Sequence, residues 1–383
     1  MGVYKSKKPT KDGRYWFFRI SYKNFENETK TYESKKFATK KEAEKEQALF
    51  VLKNKQSSKK EFDTIAKAYF EEMYRKRKES TVYCYENVYN KNIKPYFERK
   101  EINSINIQDI NKWREIMLKI GFKISYLNKC YTILNSIMKF AQKNYGLEKN
   151  YVEIVGCFEN TSEEVIKEEE KIRYITFEQF KEFISVVEDI TDYTLFNTFY
   201  YTGMRKGEIQ ALTWKEIDFN NSEIAVIKTL TNKTKGQVYK ITSTKTCKNR
   251  KIKISKVLKE ALLDYKNYLK ERYVDFDEDW FVFGINKPMA ENTIKRHKDK
   301  YFKILGYEDK DIITIHEFRH SHVTLLINEY IKTSKEKNMK IDMAKFFLML
   351  SNRMGHTIDV MQKTYMHLVP SVQDEIIDLL DNL

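Results

Sequence analysis

His316-Glu317-Phe318-Arg319-His320, followed by Gly355-His356 and, nine residues beyond that histidine, Tyr365, carries the most information in this 383-residue chain. Five of the six histidines fall between His316 and His367, an uneven distribution for so rare a residue. Taken literally, the first string fits H-E-x-x-H, in which two histidines one helical turn apart bind zinc. Against a zinc hydrolase, Val323 and Leu326 stand where the extended protease motif needs Gly and His, and Arg319 sets a cation beside the supposed metal. Alternatively, His316 and Arg319 form a pair spaced i, i+3, projecting from one side of a helix start and able to hold one anion. Alone, such a pair says little, because a structural histidine is the commoner case.

Its company changes that. Upstream lie Thr202-Gly203-Met204-Arg205-Lys206-Gly207-Glu208 and then Lys245-Thr246 in a hairpin. In order and spacing these strings resemble the tyrosine recombinases, or phage integrases, whose catalytic set runs Arg, Lys, His-x-x-Arg, His, Tyr. The resemblance spans the segment 168–383 and implies that Arg205, Lys245, His316, Arg319, His356 and the nucleophile Tyr365 are catalytic. It further implies that DNA is cut and rejoined through a 3′-phosphotyrosyl link, which conserves the bond energy, so that neither a nucleotide cofactor nor a metal is needed. Between Arg319 and His356 the chain is longer than the family commonly is, with the surplus around residues 330–340.

The chemistry accounts for these residue types. Planar guanidinium groups from Arg205 and Arg319 can clamp the non-bridging oxygens of a phosphodiester passing through a charge-rich transition state. His356 would donate a further hydrogen bond, and a neutral His316 could take or relay the phenol proton. Tyr365 needs such help, since with an ordinary pKa of about 10 roughly one phenol in a thousand is ionised at pH 7. Lys245 is the expected acid for the leaving 5′-hydroxyl, with Lys248 and Lys251 as nearby substitutes. Glu208, bracing the Arg205 helix, and His320 are supporting candidates; structural roles for His320 and His322 and a core position for Trp214 remain equally open.

Composition agrees with a polyanion as partner. The formal charge is +15, and the first 60 residues hold 17 Lys/Arg against 7 Asp/Glu, a concentration that favours salt-dependent binding to phosphates. Four scattered cysteines, Cys84, Cys130, Cys157 and Cys247, form no CxxC pair and suit a reducing cytoplasm. No apolar run reaches about 18 residues, and MGVYKSKKPTKDG lacks the apolar centre of a signal peptide, so no membrane role is expected.

The expected fold is mostly α with small β-sheets, an α+β chain in three domains. Residues 1–56 read as a three-stranded sheet plus helix: Tyr15 to Tyr22 is β-prone, and Thr39-Lys40-Lys41-Glu42 offers a capping box before a helix whose Ala43, Ala48, Leu49 and Leu52 would cover the sheet. Its aromatics could serve either a DNA groove or only a core. After a linker at 55–60, residues 61–155 read as four helices, 62–76, 80–97, 108–119 and 125–143, with signals at Ser80, Pro95 and Asn106. A second linker, 156–173, leads to a mixed α/β catalytic domain, 168–383, with a capping box at Thr176 and Gln179 and a strand-rich stretch, 223–254. The first two segments are similar to the arm-type and core-binding DNA-binding domains of mobile-element integrases.

The family further implies double-stranded DNA with core-type and arm-type sites as partner, a tetramer of the chain on that DNA, and an excisionase and a host DNA-bending protein as accessories. The amphipathic end, with Ile376, Ile377, Leu379 and Leu380, would pack on a neighbouring protomer or in cis. A catalytically silent DNA-binding regulator is the rival from a different class.

Overall fold

The computed structural model describes residues 2–10, 12–23, 29–57, 61–159, 172–243, 249–337 and 342–368. It divides the chain into two compact units, Met1–Lys167 and Glu168–Leu383. Helices dominate, with small antiparallel sheets, as the sequence pattern predicts. Among the described residues no helix is long and apolar enough to cross a membrane.

In the first unit, β1 (Gly2–Lys5), β2 (Trp16–Lys23) and β3 (Thr29–Glu33) form an antiparallel sheet in that order. The period-2 alternation of β2 sends Phe18 and Ile20 into the core and Arg19 outward, where it pairs with Glu33 at 2.6 Å. Helix α1 (Lys40–Ser57) starts where Thr39 Oγ1 accepts from the Glu42 amide. It covers the sheet with Ala43 and Phe50, whose ring stacks on Tyr32 at 4.3 Å. The face is only partly the expected one: Ala43 is buried, but Ala48 and Leu49 are exposed. The helix also runs through 55–57, where a linker was expected.

The helices that follow are α2 (Phe62–Lys76), α3 (Glu79–Asn92), α4 (Lys94–Phe97), α5 (Ile107–Lys119), α6 (Ile124–Tyr145) and α7 (Tyr151–Val155). Pro95 divides the expected 80–97 helix by opening the four-residue α4, because proline has no amide hydrogen to give and its ring crowds the preceding turn. Asn106 caps α5 in a reciprocal box with Asp109. The short α7 went unforeseen; the Asn150 side chain starts it by accepting from the amides of Val152 and Glu153.

The second unit holds α8 (Phe177–Ser185), opened by the Thr176–Gln179 capping box, α9 (Ile190–Thr202) and α10 (Lys206–Ala211). Strands β4 (Ile217–Asp218), β5 (Glu223–Val226) and β8 (Arg250–Lys253) form one sheet, while β6 (Lys228–Thr231) pairs with β7 (Lys240–Ser243). Helices α11 (Lys256–Arg272), α12 (Glu291–Ile304), α13 (Glu317–Glu336), α14 (Met343–Met354) and α15 (Ile358–Tyr365) complete it. Of the stretch 330–340, residues 330–336 belong to α13, where Tyr330 stacks on Phe346 of α14 at 4.1 Å, and 338–340 lie outside the described residues. Phe318 is fully buried against Phe183, Phe196 and Phe199, which fixes the rotation of α13 about its axis. The expected C-terminal segment 372–383 lies outside the described residues.

Gly203 ends α9 in the left-handed conformation, φ +61°, and a Cβ there would sit 2.6 Å from the His322 ring and 2.7 Å from Met354 Cε. Gly203→Ala is expected to lower the urea midpoint by the equivalent of about 2–4 kcal/mol, combining backbone strain with overpacking. Gly146→Ala, at φ +72° with nothing within 4 Å, should cost only the backbone part. Equal losses at the two positions would show that the close approach at Gly203 does not matter.

Candidate active site

Three helix boundaries converge to build the site. Arg205 is the N-cap of α10, His316 the N-cap of α13, and His356 lies between α14 and α15, just after the left-handed Gly355 that ends α14. Helix C-termini leave carbonyls without intrahelical partners, and both arginines use them. Arg319 Nη1 donates to Gly203 O at 2.6 Å and Nη2 to Met354 O, while Arg205 Nη2 donates to Gly355 O at 2.8 Å. Arg319 is only 2% exposed, yet its partners are neutral. Burial, reinforced by the charge of Arg205, pushes it down to about 9, so it stays a cation at pH 7.

Glu208 is the counter-charge. Its Oε1 accepts from Arg205 Nη1 at 3.0 Å and from Arg250 Nη1 at 3.0 Å, and its Oε2 from Arg250 Nη2 at 2.6 Å. Burial alone would raise this carboxyl, but the hydrogen bonds and charge of Arg250, then of Arg205, hold it below the ordinary carboxylate range. Arg250 Nε donates to Arg353 O at 2.9 Å, and Arg353 in turn reaches Lys253 O, Tyr201 O and His322 Nε2. Arg205 and Arg250 thus share one carboxylate, while Arg319 bonds only neutral groups, so the three guanidinium groups keep a net positive charge suited to an anion.

Arg319 Nη2 also approaches His356 Nε2 at 3.0 Å. A guanidinium can only donate, so Nε2 accepts and the neutral ring carries its hydrogen on Nδ1. That Nδ1, like Arg319 Nε, has no hydrogen-bond partner among the described residues. Burial, then Arg319 and Arg205, lowers His356 to about 3, keeping it neutral and a donor. Burial, then His320 and Arg319, lowers His316 to about 4.

Tyr365 ends α15 inside a core formed with Met354, Met361 and Leu350, 1% exposed. Burial raises its phenol to about 12, against a downward pull from Arg319. Its hydroxyl lies 2.6 Å from His320 Nδ1, and His316 stacks edge-on against His320 with ring centroids 5.0 Å apart. Sequence reasoning assigned the phenol to His316; the side chain that touches it is His320, one turn later. Among the described residues no group of three His, Cys, Asp or Glu could hold a metal ion. Lys245 and Lys248 lie outside the described residues, and Lys251 pairs with Glu223 at 3.4 Å.

Residues 173–338 match the phage integrase family and 61–118 the phage integrase N-terminal SAM-like domain. The ICEBs1 integrase of Bacillus subtilis (strain 168) is 31% identical over 312 residues, 77% of this chain and 76% of that protein. The chain belongs to the phage integrase family. As a tyrosine recombinase, this integrase also resembles the integrase of Staphylococcus phage L54a, 27% identical over 192 residues, 48% of this chain and 49% of that one. Two solved structures share its fold. A Tn1549 transposon integrase in complex with circular-intermediate DNA has a TM-score of 0.61 at 20% identity, covering 83% of this chain and 99% of that one. A lambda integrase dimer bound to a core site has 0.58 at 15%, covering 94% and 93%.

Arg250 and Arg353 escaped the sequence reading, because nothing local marks them off from the chain's other basic residues. Glu208→Gln would leave two buried guanidinium groups short of an anion. It should lower stability by about 3–5 kcal/mol in denaturant titration, with a loss in Glu208→Gln/Arg250→Gln well below the sum of the single losses. Additive losses would mean the pair does not couple.

Acid should also weaken this unit. His316, His322 and His356 have folded values of about 4, 3 and 3 against an ordinary 6.5. Below pH 6.5 the unfolded chain takes up protons that the folded chain refuses, so stability is full above that pH and falls as pH drops toward 4. Melting temperatures measured from pH 7 to 4.5 should decline, less steeply in the buried-site variant His322→Gln; an unchanged slope would remove His322 from the linkage.

Proposed function

We propose that this integrase inserts and excises a phage or conjugative mobile element by cutting and rejoining double-stranded DNA through Tyr365. The observation that carries this reading is the convergence of Arg205, Arg319 and His356 on one net positive site in the unit that also holds the phenol. In-line attack by the Tyr365 oxygen forms a 3′-phosphotyrosyl bond and breaks the bond to the 5′-oxygen, which takes a proton from Lys245. The two guanidinium groups and the free Nδ1 of His356 stabilise the charge that builds on the non-bridging oxygens. Attack by another 5′-hydroxyl reverses the step, and the conserved bond energy makes nucleotide cofactor and metal unnecessary.

Residues 1–56 serve as an arm-type DNA-binding domain, 61–155 as the core-binding domain and 168–383 as the catalytic domain. The likeness to ICEBs1, Tn1549 and phage L54a integrases supports a mobile element as the source of the DNA. Lambda integrase has been seen as a tetramer bound to a Holliday junction, and four copies of this chain would assemble likewise on two duplexes in the bacterial cytoplasm. An excisionase and a host DNA-bending protein would set direction. A cleft beside His316, lined by Arg173, Lys206, Lys295, Lys303 and Lys310, suits the phosphates flanking the cut, although Glu291, Asp309 and Glu308 pair with Lys206, Lys303 and Lys310.

The test uses DNA flanking the reading frame as nicked duplexes in chelator-containing buffer, with mass spectrometry of the protein. A nucleotide adduct on Tyr365 is expected, absent in Tyr365→Phe and formed about 10²–10³-fold more slowly in Arg205→Ala. Tight binding with no adduct on any fragment would instead make the chain a DNA-binding regulator.

A further inference from the structure

We propose that His320, rather than His316, is the general base that takes the proton from Tyr365. The inference rests on Tyr365 being the nucleophile, and it assigns the one proton transfer which that reading leaves without a contacting group. The distance of 2.6 Å between His320 Nδ1 and the Tyr365 hydroxyl is within the reach that proton abstraction requires, before any substrate is present. His316 has its ring against His320 instead, perpendicular and 5.0 Å away between centroids.

The placement follows from the helix. Phe318, locked into its aromatic pocket, sets the rotation of α13, and residues 316 and 320 then lie one above the other on a single face. Arg319 is carried inward to the two helix ends. Helix α15 brings Tyr365 to His320 from the other side. The phenol, buried from water, has the imidazole nitrogen as its partner.

In the productive tautomer His320 carries hydrogen on Nε2 and accepts from the phenol at Nδ1. As the phenol oxygen bonds to phosphorus and the bond to the 5′-oxygen breaks, the phenol proton passes to Nδ1, giving an imidazolium. During rejoining the incoming 5′-hydroxyl attacks phosphorus and returns its proton to the group that protonated the leaving 5′-oxygen, the phenolate leaves, and Nδ1 gives its proton back to the phenolate. No co-reactant is consumed.

Adduct formation is compared in the intact chain, His320→Gln, His320→Ala and His316→Gln on the same nicked duplex. Both His320 variants should slow it by about 10²–10³-fold with DNA binding retained, and added imidazole should restore the rate of His320→Ala by filling the vacated space. His316→Gln should not respond to imidazole. Rates in His320→Gln equal to or above those of the intact chain would overturn the proposal, showing a contact that merely holds the phenol at rest. Should both His320 variants misfold, ¹⁵N-histidine NMR of the intact chain decides. A pyridine-like Nδ1 on His320 supports the assignment, and a protonated Nδ1 overturns it. If the intact chain itself forms no adduct, the nucleophile reading has failed, an outcome distinct from loss in the variants alone.

Discussion

Burying the guanidinium of Arg319 is the constraint from which the catalytic unit is built. A fully desolvated ion costs several kcal/mol unless its hydrogens are met, and a carboxylate partner would cancel the charge that an anion site needs. The chain meets the hydrogens with carbonyls from the ends of α9 and α14, at Gly203 and Met354. The dipoles at those helix ends carry partial negative charge, enough to stabilise the cation and too little to neutralise it. The solution also fastens α9, α13 and α14 to one point, so the site and the core of the unit are held by the same bonds.

Glu208 follows the opposite logic. Being a full carboxylate, it would silence Arg205 if the two were paired alone. Arg250 takes the larger share: it bonds both carboxylate oxygens, while the Arg205 side chain bonds one and turns its other terminal nitrogen to Gly355. The acid thereby orients Arg205 without neutralising the group. Arg250 Nε then donates to the Arg353 carbonyl and Arg353 Nη1 to the Lys253 carbonyl, which ties β8 to the end of α14 just before the loop bearing His356.

What could be read from sequence was what is local. Capping boxes at Asn106 and Thr176 lie within four residues and appeared where expected, and the His-x-x-Arg string needs only a helix start to align its side chains. Contacts spanning 42 residues from Arg250 to Glu208, or 152 from Arg353 to Tyr201, leave no periodic trace. The identity of the histidine on the phenol was equally hidden, because it depends on the rotation that Phe318 imposes and on where α15 ends. The buried face of α1 was half legible for a related reason: Ala43 is buried as expected, but Ala48 and Leu49 are exposed and it is Phe50 whose ring meets Phe18 and Tyr32.

On the proposed role of Tyr365 as nucleophile, its burial limits how the chemistry can proceed. A phenol raised to about 12 is ionised in roughly one molecule in 10⁵ at pH 7, and an arriving phosphodiester adds negative charge that opposes ionisation further. Waiting for free phenolate is therefore a poor route. Proton transfer has to accompany bond formation, so that charge leaving the phenol oxygen passes directly to phosphate oxygens faced by Arg205 and Arg319. For such a step a base need not be strong at rest. A neutral histidine held below its ordinary pKa by burial serves if it already sits on the hydroxyl, because the phenol becomes more acidic as its oxygen bonds to phosphorus and its charge passes to the non-bridging oxygens.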